Sequence, residues 1–375
     1  MLLRKAERHP RSPHCGDKPT LEASRVPVCR TPSPDLACST MIERMSRHRL
    51  AILLNAAQGK RVAVVGDAML DVYLSGEVDR ISPEAPVPVV RVRERKLALG
   101  GAANVANNIV TIGAVCDLVS AVGDDLAGAT LRDMLERVHT ETKSLVSVSR
   151  PTTTKTRVLA RSQQLLRYDE EDDTDLKGAD SARLLDALRI AIQEADALVL
   201  EDYNKGVLVP PVIAEAIASA RKRGIPIVVD PKYRNFFAFR GATIFKPNRR
   251  ELESALGAAV DLDHPEALPE TFERLGVEHL LLTLGEQGMA LLSADGEIGR
   301  IPTTAREVYD VVGAGDTVTA YLATILAAGG SPAEAAVIAN FAAGVEVGKL
   351  GAATVRTAEV LEAYDDFSQQ PTNKT

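Results

Sequence analysis

Ala197-Leu198-Val199-Leu200 runs directly into Glu201-Asp202-Tyr203-Asn204-Lys205-Gly206, and a helical pattern follows over 211–223. An apolar run closed by a polar, glycine-bearing stop reads as a strand buried on both faces. The unit then recurs. Pro226-Ile227-Val228-Val229-Asp230 ends in Pro231-Lys232, and Thr243-Ile244-Phe245 ends in Lys246-Pro247-Asn248-Arg249-Arg250-Glu251, which opens a helix. Leu280-Leu281-Leu282-Thr283 ends in Leu284-Gly285-Glu286-Gln287-Gly288. This alternation predicts an α/β fold with a mostly parallel, doubly wound sheet flanked by helices. Polar groups gather where strands end and helices begin, so one rim of the sheet is the expected site.

Upstream, a helix over 50–57 leads to Arg61-Val62-Ala63-Val64-Val65-Gly66, another buried strand. Asp67 and Asp71 follow at its end and are candidates for binding substrate hydroxyls; Asp67 alone reads equally well as a solvated loop residue. Residues 75–98 break the alternation. Pro83, Pro86 and Pro88 restrict them to an edge strand or a small separate sheet. Residues 151–169 read as a hairpin that joins them, so a small β-sheet lid is expected from about 75–98 and 144–170. Lys155, Arg157, Arg161 and Arg167 in that hairpin could meet an anionic group. Between the inserts lies Gly100-Gly101-Ala102-Ala103-Asn104, a glycine pair opening a helix. Such a pair lets a ligand approach the backbone, and Asn both donates to and accepts from sugar hydroxyls.

The same rim carries Asp310-Val311-Val312-Gly313-Ala314-Gly315-Asp316, a turn feeding an apolar helix to about 328. Bare amides at a helix N-terminus attract anions. Asp316 within it reads either as a helix cap or as a base beside a bound phosphate. Further helices are expected over 332–348 and 357–364. Residues 1–48, rich in Arg, Pro and Ser, are expected to form a disordered extension, 49–365 the folded domain, and 366–375 a frayed tail.

Composition excludes several functions. The formal net charge is −7, aromatics make up 4% with no Trp, and no basic stripe is interleaved with aromatics, which argues against nucleic acid. Cys15, Cys29, Cys38 and Cys116 match no zinc spacing and read as free thiols of a reducing cytosol. There is no HExxH, no GxGxxG after the first strand, no GxxxxGK[ST] and no GxSxG.

Four motifs together carry a resemblance. Gly100–Asn104 and Asp310–Asp316 resemble the two signatures of the ribokinase (PfkB-type) carbohydrate kinases. Asn248-Arg249-Arg250-Glu251 is similar to that family's Asn-x-x-Glu motif, and Thr283–Gly288 to its nucleotide loop. The resemblance implies a ribokinase-like fold with a β-lid, Asp316 as base and the amides of Gly313, Ala314 and Gly315 on the transferring phosphoryl group. It implies ATP held through Asn248, Arg249, Arg250, Glu251, Thr283, Gly285 and Gly288, with Mg²⁺ near Asn248 and Glu251 through water. A monovalent cation is a further possible requirement. Sugar hydroxyls fall to Asp71, Gly100, Gly101 and Asn104, and a sugar phosphate to Lys155, Arg157, Lys205 or Lys232.

A narrower resemblance, to heptose 7-phosphate kinases of lipopolysaccharide synthesis, rests on Arg80–Val90, Lys155–Leu159, Gln163–Leu165, Asp202–Gly206 and Val347–Gly351. It implies ATP-dependent phosphorylation of D-glycero-D-manno-heptose 7-phosphate at O1. The expected setting is the cytoplasm, as a homodimer. No His-x-Gly-His motif is present, so a separate nucleotidyltransferase is expected to act on the product. Val312 departs from the family's usual Thr or Ser. Another sugar kinase of this fold, or a non-catalytic sugar- or nucleotide-binding regulator, are the alternatives; the second would need a broken Asp316 or Asn248–Glu251 set.

Overall fold

A computed structural model describes residues 45–161, 163–264 and 268–369. The expected extension lies mainly outside these residues, but its end does not: helix α1 spans Arg47–Ala56, three residues earlier than predicted, because Ser46 caps it by accepting from the Arg49 amide.

The main sheet has nine strands in the order β13-β12-β11-β10-β9-β8-β1-β4-β5. They are β1 Arg61–Gly66, β4 Val115–Gly123, β5 Leu145–Val148, β8 Ala197–Glu201, β9 Ile227–Asp230, β10 Ile244–Phe245, β11 His279–Thr283, β12 Met289–Ser293 and β13 Ile298–Ile301. Strands β5 to β11 are parallel; β12 and β13 add an antiparallel edge. Leu145–Val148, expected in the lid, is an edge strand of this sheet, paired with β4.

Alternate strand residues feed two cores, as the pleat requires. Val62 and Val64 face one core with α1, α2 (Ala102–Ile112), α3 (Leu126–Arg137), α8 (Ala314–Ala327), α9 (Pro332–Glu346) and α10 (Thr357–Ser368). Ala63 and Val65 face the other with α4 (Gly178–Glu194), α5 (Pro210–Arg223), α6 (Arg249–Leu256) and α7 (Leu268–Leu275). Helix α10 continues through residues 366–368, which were expected to fray, and Phe367 packs edge-on against Phe341.

The second sheet has four strands in the order β3-β2-β6-β7, with β2 Ala68–Ile81, β3 Pro88–Gly101, β6 Thr154–Ala160 and β7 Gln163–Glu170. It is the expected lid, but longer: β2 begins two residues after β1, and β3 returns directly into α2. Registers Asp71↔Lys155, Tyr73↔Arg157, Lys155↔Asp169 and Arg157↔Arg167 place these charged residues on one face. The opposite face carries Leu70, Val72, Leu74, Thr154, Thr156 and Tyr168, which line a cavity of about 670 Å³ beside α3.

The strand order reverses at β1, which lies between β4 and β8. The crevice at the C-terminal ends of β1 and β8 is therefore the topological binding position. Both strands come very close there: a Cβ on Gly66 would lie 2.1 Å from the Glu201 carbonyl oxygen.

Candidate active site

Helix α8 starts at the glycine turn. Gly313 is its N-cap at φ +97°, a left-handed geometry suited to glycine, and no side chain caps the helix. The Ala314 amide donates to the Val311 carbonyl at a long 3.4 Å, and the remaining first-turn amides are left for a ligand. A Cβ on Gly315 would have Lys246 Nζ at 3.6 Å and Asp230 Oδ2 at 3.8 Å as its nearest neighbours, so the turn opens toward those charges. The turn is fastened by Asp310, which accepts from the Val312 amide (3.0 Å) and the Gly351 amide (3.2 Å). Those bonds need only the backbone of residue 312.

Asp316 lies in that first turn, buried, and caps nothing. Its Oδ2 accepts from Asn104 Nδ2 at 2.7 Å and its Oδ1 from the Tyr203 hydroxyl at 2.9 Å. Asn104 is in turn held within α2 and against α8, because Asn108 Nδ2 donates to its carbonyl (3.0 Å) and Thr317 donates to Asn108 Oδ1 (3.2 Å). Burial pushes the Asp316 carboxyl up; the Asn104 bond opposes this, Asp230 adds to it, and the Tyr203 bond and Lys246 pull back, leaving it at about 6. A carboxylate at that value is ionised at neutral pH yet basic enough to take a proton.

Two more carboxylates converge here. Oxygen atoms of Glu201, Asp230 and Asp316 lie within 4.8 Å of one another. Lys246 Nζ, itself buried, donates to Asp230 Oδ2 at 2.8 Å. Burial works against the Lys246 charge, but Asp230 and Glu201 outweigh it and raise the ammonium. Glu201 has no hydrogen-bond partner at either oxygen, and burial, Asp230 and Asp316 push its carboxyl well above the usual carboxylate range. The all-oxygen trio suits a hard cation such as Mg²⁺ rather than a soft metal.

Asn248 and Glu251 form a reciprocal capping box on α6: the Glu251 amide donates to Asn248 Oδ1 (2.9 Å) and the Asn248 amide to Glu251 Oε2 (2.8 Å). Glu251 Oε1 also accepts from Lys232 at 2.5 Å. Both oxygens are engaged, so this pair fits a cation through intervening water. Arg249 and Arg250 sit on the outer side of α6, Arg250 exposed. Thr283 bridges to Asn248 at the end of β11, which brings the two expected nucleotide segments together. Gly285 opens the short turn at φ +62° with free space where a Cβ would stand. Gly288 differs: a Cβ there would lie 2.2 Å from the Ile301 carbonyl, so it is required by backbone packing.

Other expected contacts are reassigned by the geometry. Asp67 does not face substrate. It is buried and accepts from the amides of Tyr203 (2.8 Å), Lys205 (3.0 Å) and Val207 (3.1 Å), fastening the segment after β8. Asp67→Asn replaces one acceptor oxygen with donors facing N–H groups. A destabilisation of about 2–4 kcal/mol is expected, read from urea unfolding, with little change in the KM of properly folded protein. Asp71 is held by Arg157 (Nη1–Oδ1 2.7 Å), whose guanidinium stacks over Tyr73. Gly100 and Gly101 are demanded by packing: a Cβ would meet Asp71 Oδ2 at 2.8 Å and the Asp67 carbonyl at 2.4 Å, respectively. They let β3 pass close to β2 and to the Asp67 backbone as it enters α2.

Tyr203, Glu201, Asp230 and Lys246 were not singled out from sequence, although all stand at strand ends on the polar rim. Tyr203 joins the parts: its hydroxyl touches Asp316, and its ring lies under Lys155 (5.1 Å) and Lys232 (5.5 Å). Tyr203→Phe keeps the ring and removes the bond that favours ionised Asp316. The acid limb of the kcat/KM–pH profile is expected to move upward by less than about one unit, checked by the profile itself.

A turn with no side-chain cap, a desolvated carboxylate and a buried lysine on one rim are the parts of a phosphoryl-transfer site. Comparison with known families agrees: the model described as pfkB family carbohydrate kinase matches residues 60–358. The chain belongs to the pfkB family of carbohydrate kinases. Its reaction class is accordingly phosphoryl transfer to an alcohol group of a sugar. Among curated pfkB-family relatives, "Bifunctional protein HldE" of Rhodospirillum rubrum is 46% identical over 318 residues, covering 84% of this chain and 64% of that protein. The protein of the same name from Shewanella piezotolerans is 45% identical over 320 residues, covering 85% and 66%. The chain thus spans just under two thirds of these relatives. Solved structures agree on the fold: Arabidopsis thaliana ribokinase complexed with ribose and ATP has a TM-score of 0.65 at 21% identity, covering 82% of this chain and 99% of that one. Escherichia coli phosphofructokinase-2 in its tetrameric inhibited form has a TM-score of 0.68 at 18% identity, covering 83% and 100%. Among the described residues, no helix is long and apolar enough to cross a membrane.

Proposed function

We propose that this chain transfers the γ-phosphoryl group of ATP to O1 of D-glycero-D-manno-heptose 7-phosphate, giving the 1,7-bisphosphate. The observation that carries the chemistry is Asp316, buried and bonded to Asn104 and Tyr203 at the uncapped start of α8. The sugar is inferred from the lid and rim motifs, Arg80–Val90, Lys155–Leu159 and Asp202–Gly206, and from relatives named HldE.

In this reading Asp316 accepts the proton of the attacking hydroxyl as the new O–P bond forms and the bond from phosphorus to the leaving ADP oxygen breaks. Amides of Gly313, Ala314 and Gly315 hold the transferring group; a preorganised donor of this kind contributes about 3 kcal/mol. Asn104 and Tyr203 fix the base, and Lys246 offsets the charge of Asp230 beside the transferring group. Asn248 and Glu251, through water, or the Glu201–Asp230–Asp316 oxygens, would hold Mg²⁺, which when bound neutralises charge on the phosphates. The lid covers the sugar and excludes water, limiting ATP hydrolysis. We place the enzyme in the cytoplasm as a homodimer, with a nucleotidyltransferase consuming the 1-phosphate.

A panel of sugars and sugar phosphates with ADP release as readout tests the acceptor. Heptose 7-phosphate should give the highest kcat/KM. A hexose or pentose phosphate exceeding it tenfold would favour a different kinase of the same family.

A further inference from the structure

We propose that Lys155 binds the phosphate of the sugar-phosphate acceptor, at the end remote from the reacting hydroxyl, and thereby sets the preference for phosphorylated over plain sugars. The inference rests on the reading above that the acceptor is a sugar phosphate, and it deepens that reading by choosing one residue.

The sequence offers several cations and does not choose among them. The structure separates them by what each already holds. Arg157 is taken by Asp71 (2.7 Å), Lys205 by Glu171 (2.7 Å), Lys232 by Glu251 (2.5 Å) and Arg167 by Asp169 (2.7 Å). Arg161 lies exposed at the turn between β6 and β7. Among the described residues of this group, Lys155 and Arg161 have no carboxylate within ion-pairing distance, and of these two only Lys155 is half-buried. Its ammonium lies 5.1 Å from the centre of the Tyr203 ring, on the charged face of the lid.

The surroundings suit an anion. Burial lowers the Lys155 ammonium, Lys205 and Arg167 lower it further, and Asp71 and Asp169 only partly restore it. A half-buried cation beside two other cations is costly until a negative ligand arrives. A dianionic phosphate reverses that balance. Lys232, over the same ring, is committed to Glu251 and Asp230 and so belongs to the phosphoryl-donor side. Tyr203 therefore separates two places: its hydroxyl marks the reacting end at Asp316, and Lys155 over its ring marks the lid end. A sugar lying across Tyr203 presents one hydroxyl to the base and its phosphate to the lid.

The test compares Lys155→Met, Lys155→Arg and Lys205→Met in the full chain, with heptose 7-phosphate, the matching unphosphorylated heptose and ATP as varied substrates. For Lys155→Met, KM for the phosphorylated sugar should rise roughly tenfold or more, with ATP KM within about twofold. Lys155→Arg should recover a large part of that loss. Discrimination between phosphorylated and plain heptose should shrink by the same factor, a readout that a merely structural role would not move. Urea midpoints confirm that each variant is folded. An unchanged KM for heptose 7-phosphate in Lys155→Met, or a larger rise in Lys205→Met, overturns the proposal. Wild-type protein that turns over plain sugars but no sugar phosphate overturns the reading of the acceptor instead.

Discussion

Asp316→Asn is expected to lower kcat by a factor of about 10²–10⁴ while leaving the Kd for ATP within about twofold. The size follows from what the substitution removes. Asn keeps the shape and one acceptor oxygen, so the Asn104 contact at 2.7 Å can persist. It cannot accept a proton, and its amide meets the Tyr203 hydroxyl. The uncapped amides of α8 are untouched, so phosphate binding remains. Stability separates loss of chemistry from loss of fold. Asp316 rises from 3.8 to about 6 on folding, so its contribution to stability is complete below pH 3.8 and declines as pH rises through 6. Above that range the carboxylate is a cost that Asn does not carry. The variant should therefore melt no lower than wild type at pH 7.5. A tenfold drop in activity accompanied by a large loss of stability would point to structural damage instead.

Glu346→Gln is expected to stabilise the protein at alkaline pH. Glu346 ends α9 directly behind the glycine turn, where a Cβ on Gly313 would be 3.2 Å from its Oε1. It is fully buried, and neither oxygen has a hydrogen-bond partner. Burial pushes its carboxyl from 4.5 to about 8; the Ala353 amide eases this without reaching hydrogen-bond geometry, Asp310 and Asp316 add to it, and Lys349 opposes it. Lys349 itself is engaged by Glu359 at 2.7 Å. Below pH 4.5 the group is protonated whether the chain is folded or not. Between 4.5 and about 8 the folded protein retains a proton that the unfolded chain releases, so stability falls by about 1.4 kcal/mol per pH unit. Gln has no such slope. Urea unfolding from pH 5 to 8.5 should show the variant gaining on wild type with rising pH, by about 3–4 kcal/mol at the top of the range. Parallel curves for the two proteins would contradict the assignment.

The architecture was legible because the parallel strands are buried on both faces and announce themselves as short apolar runs between glycine- and aspartate-bearing stops. The antiparallel edge, β12 and β13, was not, since such short strands carry little periodic signal. Leu145–Val148 was assigned to the lid because it adjoins the hairpin in sequence; its pairing with β4 is a long-range choice. At the candidate site, the motifs singled out Asp316 and Asn104, which bond to each other, and Asn248 and Glu251, which form a capping box, although not these contacts themselves. Asp67 was misread because a buried carboxylate that accepts three backbone amides looks, in sequence, like any aspartate at a strand end. The packing role of Gly100, Gly101 and Gly288 was equally hidden, as it depends on backbone from distant segments. Tyr203 escaped because an aromatic among polar loop residues has many ordinary explanations. Glu346 left one signal, a lone acid in the apolar stretch from Val337 to Val347. The four lid and rim cations were all visible, but only their partners distinguish Lys155 from the rest.

The central claim is phosphoryl transfer to the anomeric hydroxyl of a sugar phosphate by Asp316. Phosphorus NMR of purified protein with ATP, Mg²⁺ and D-glycero-D-manno-heptose 7-phosphate tests it most directly. The account predicts that ADP appears together with one new sugar resonance coupled to the anomeric proton, and that Asp316→Asn forms neither at a comparable rate. Phosphate on any other hydroxyl, or equal product from Asp316→Asn, would contradict it.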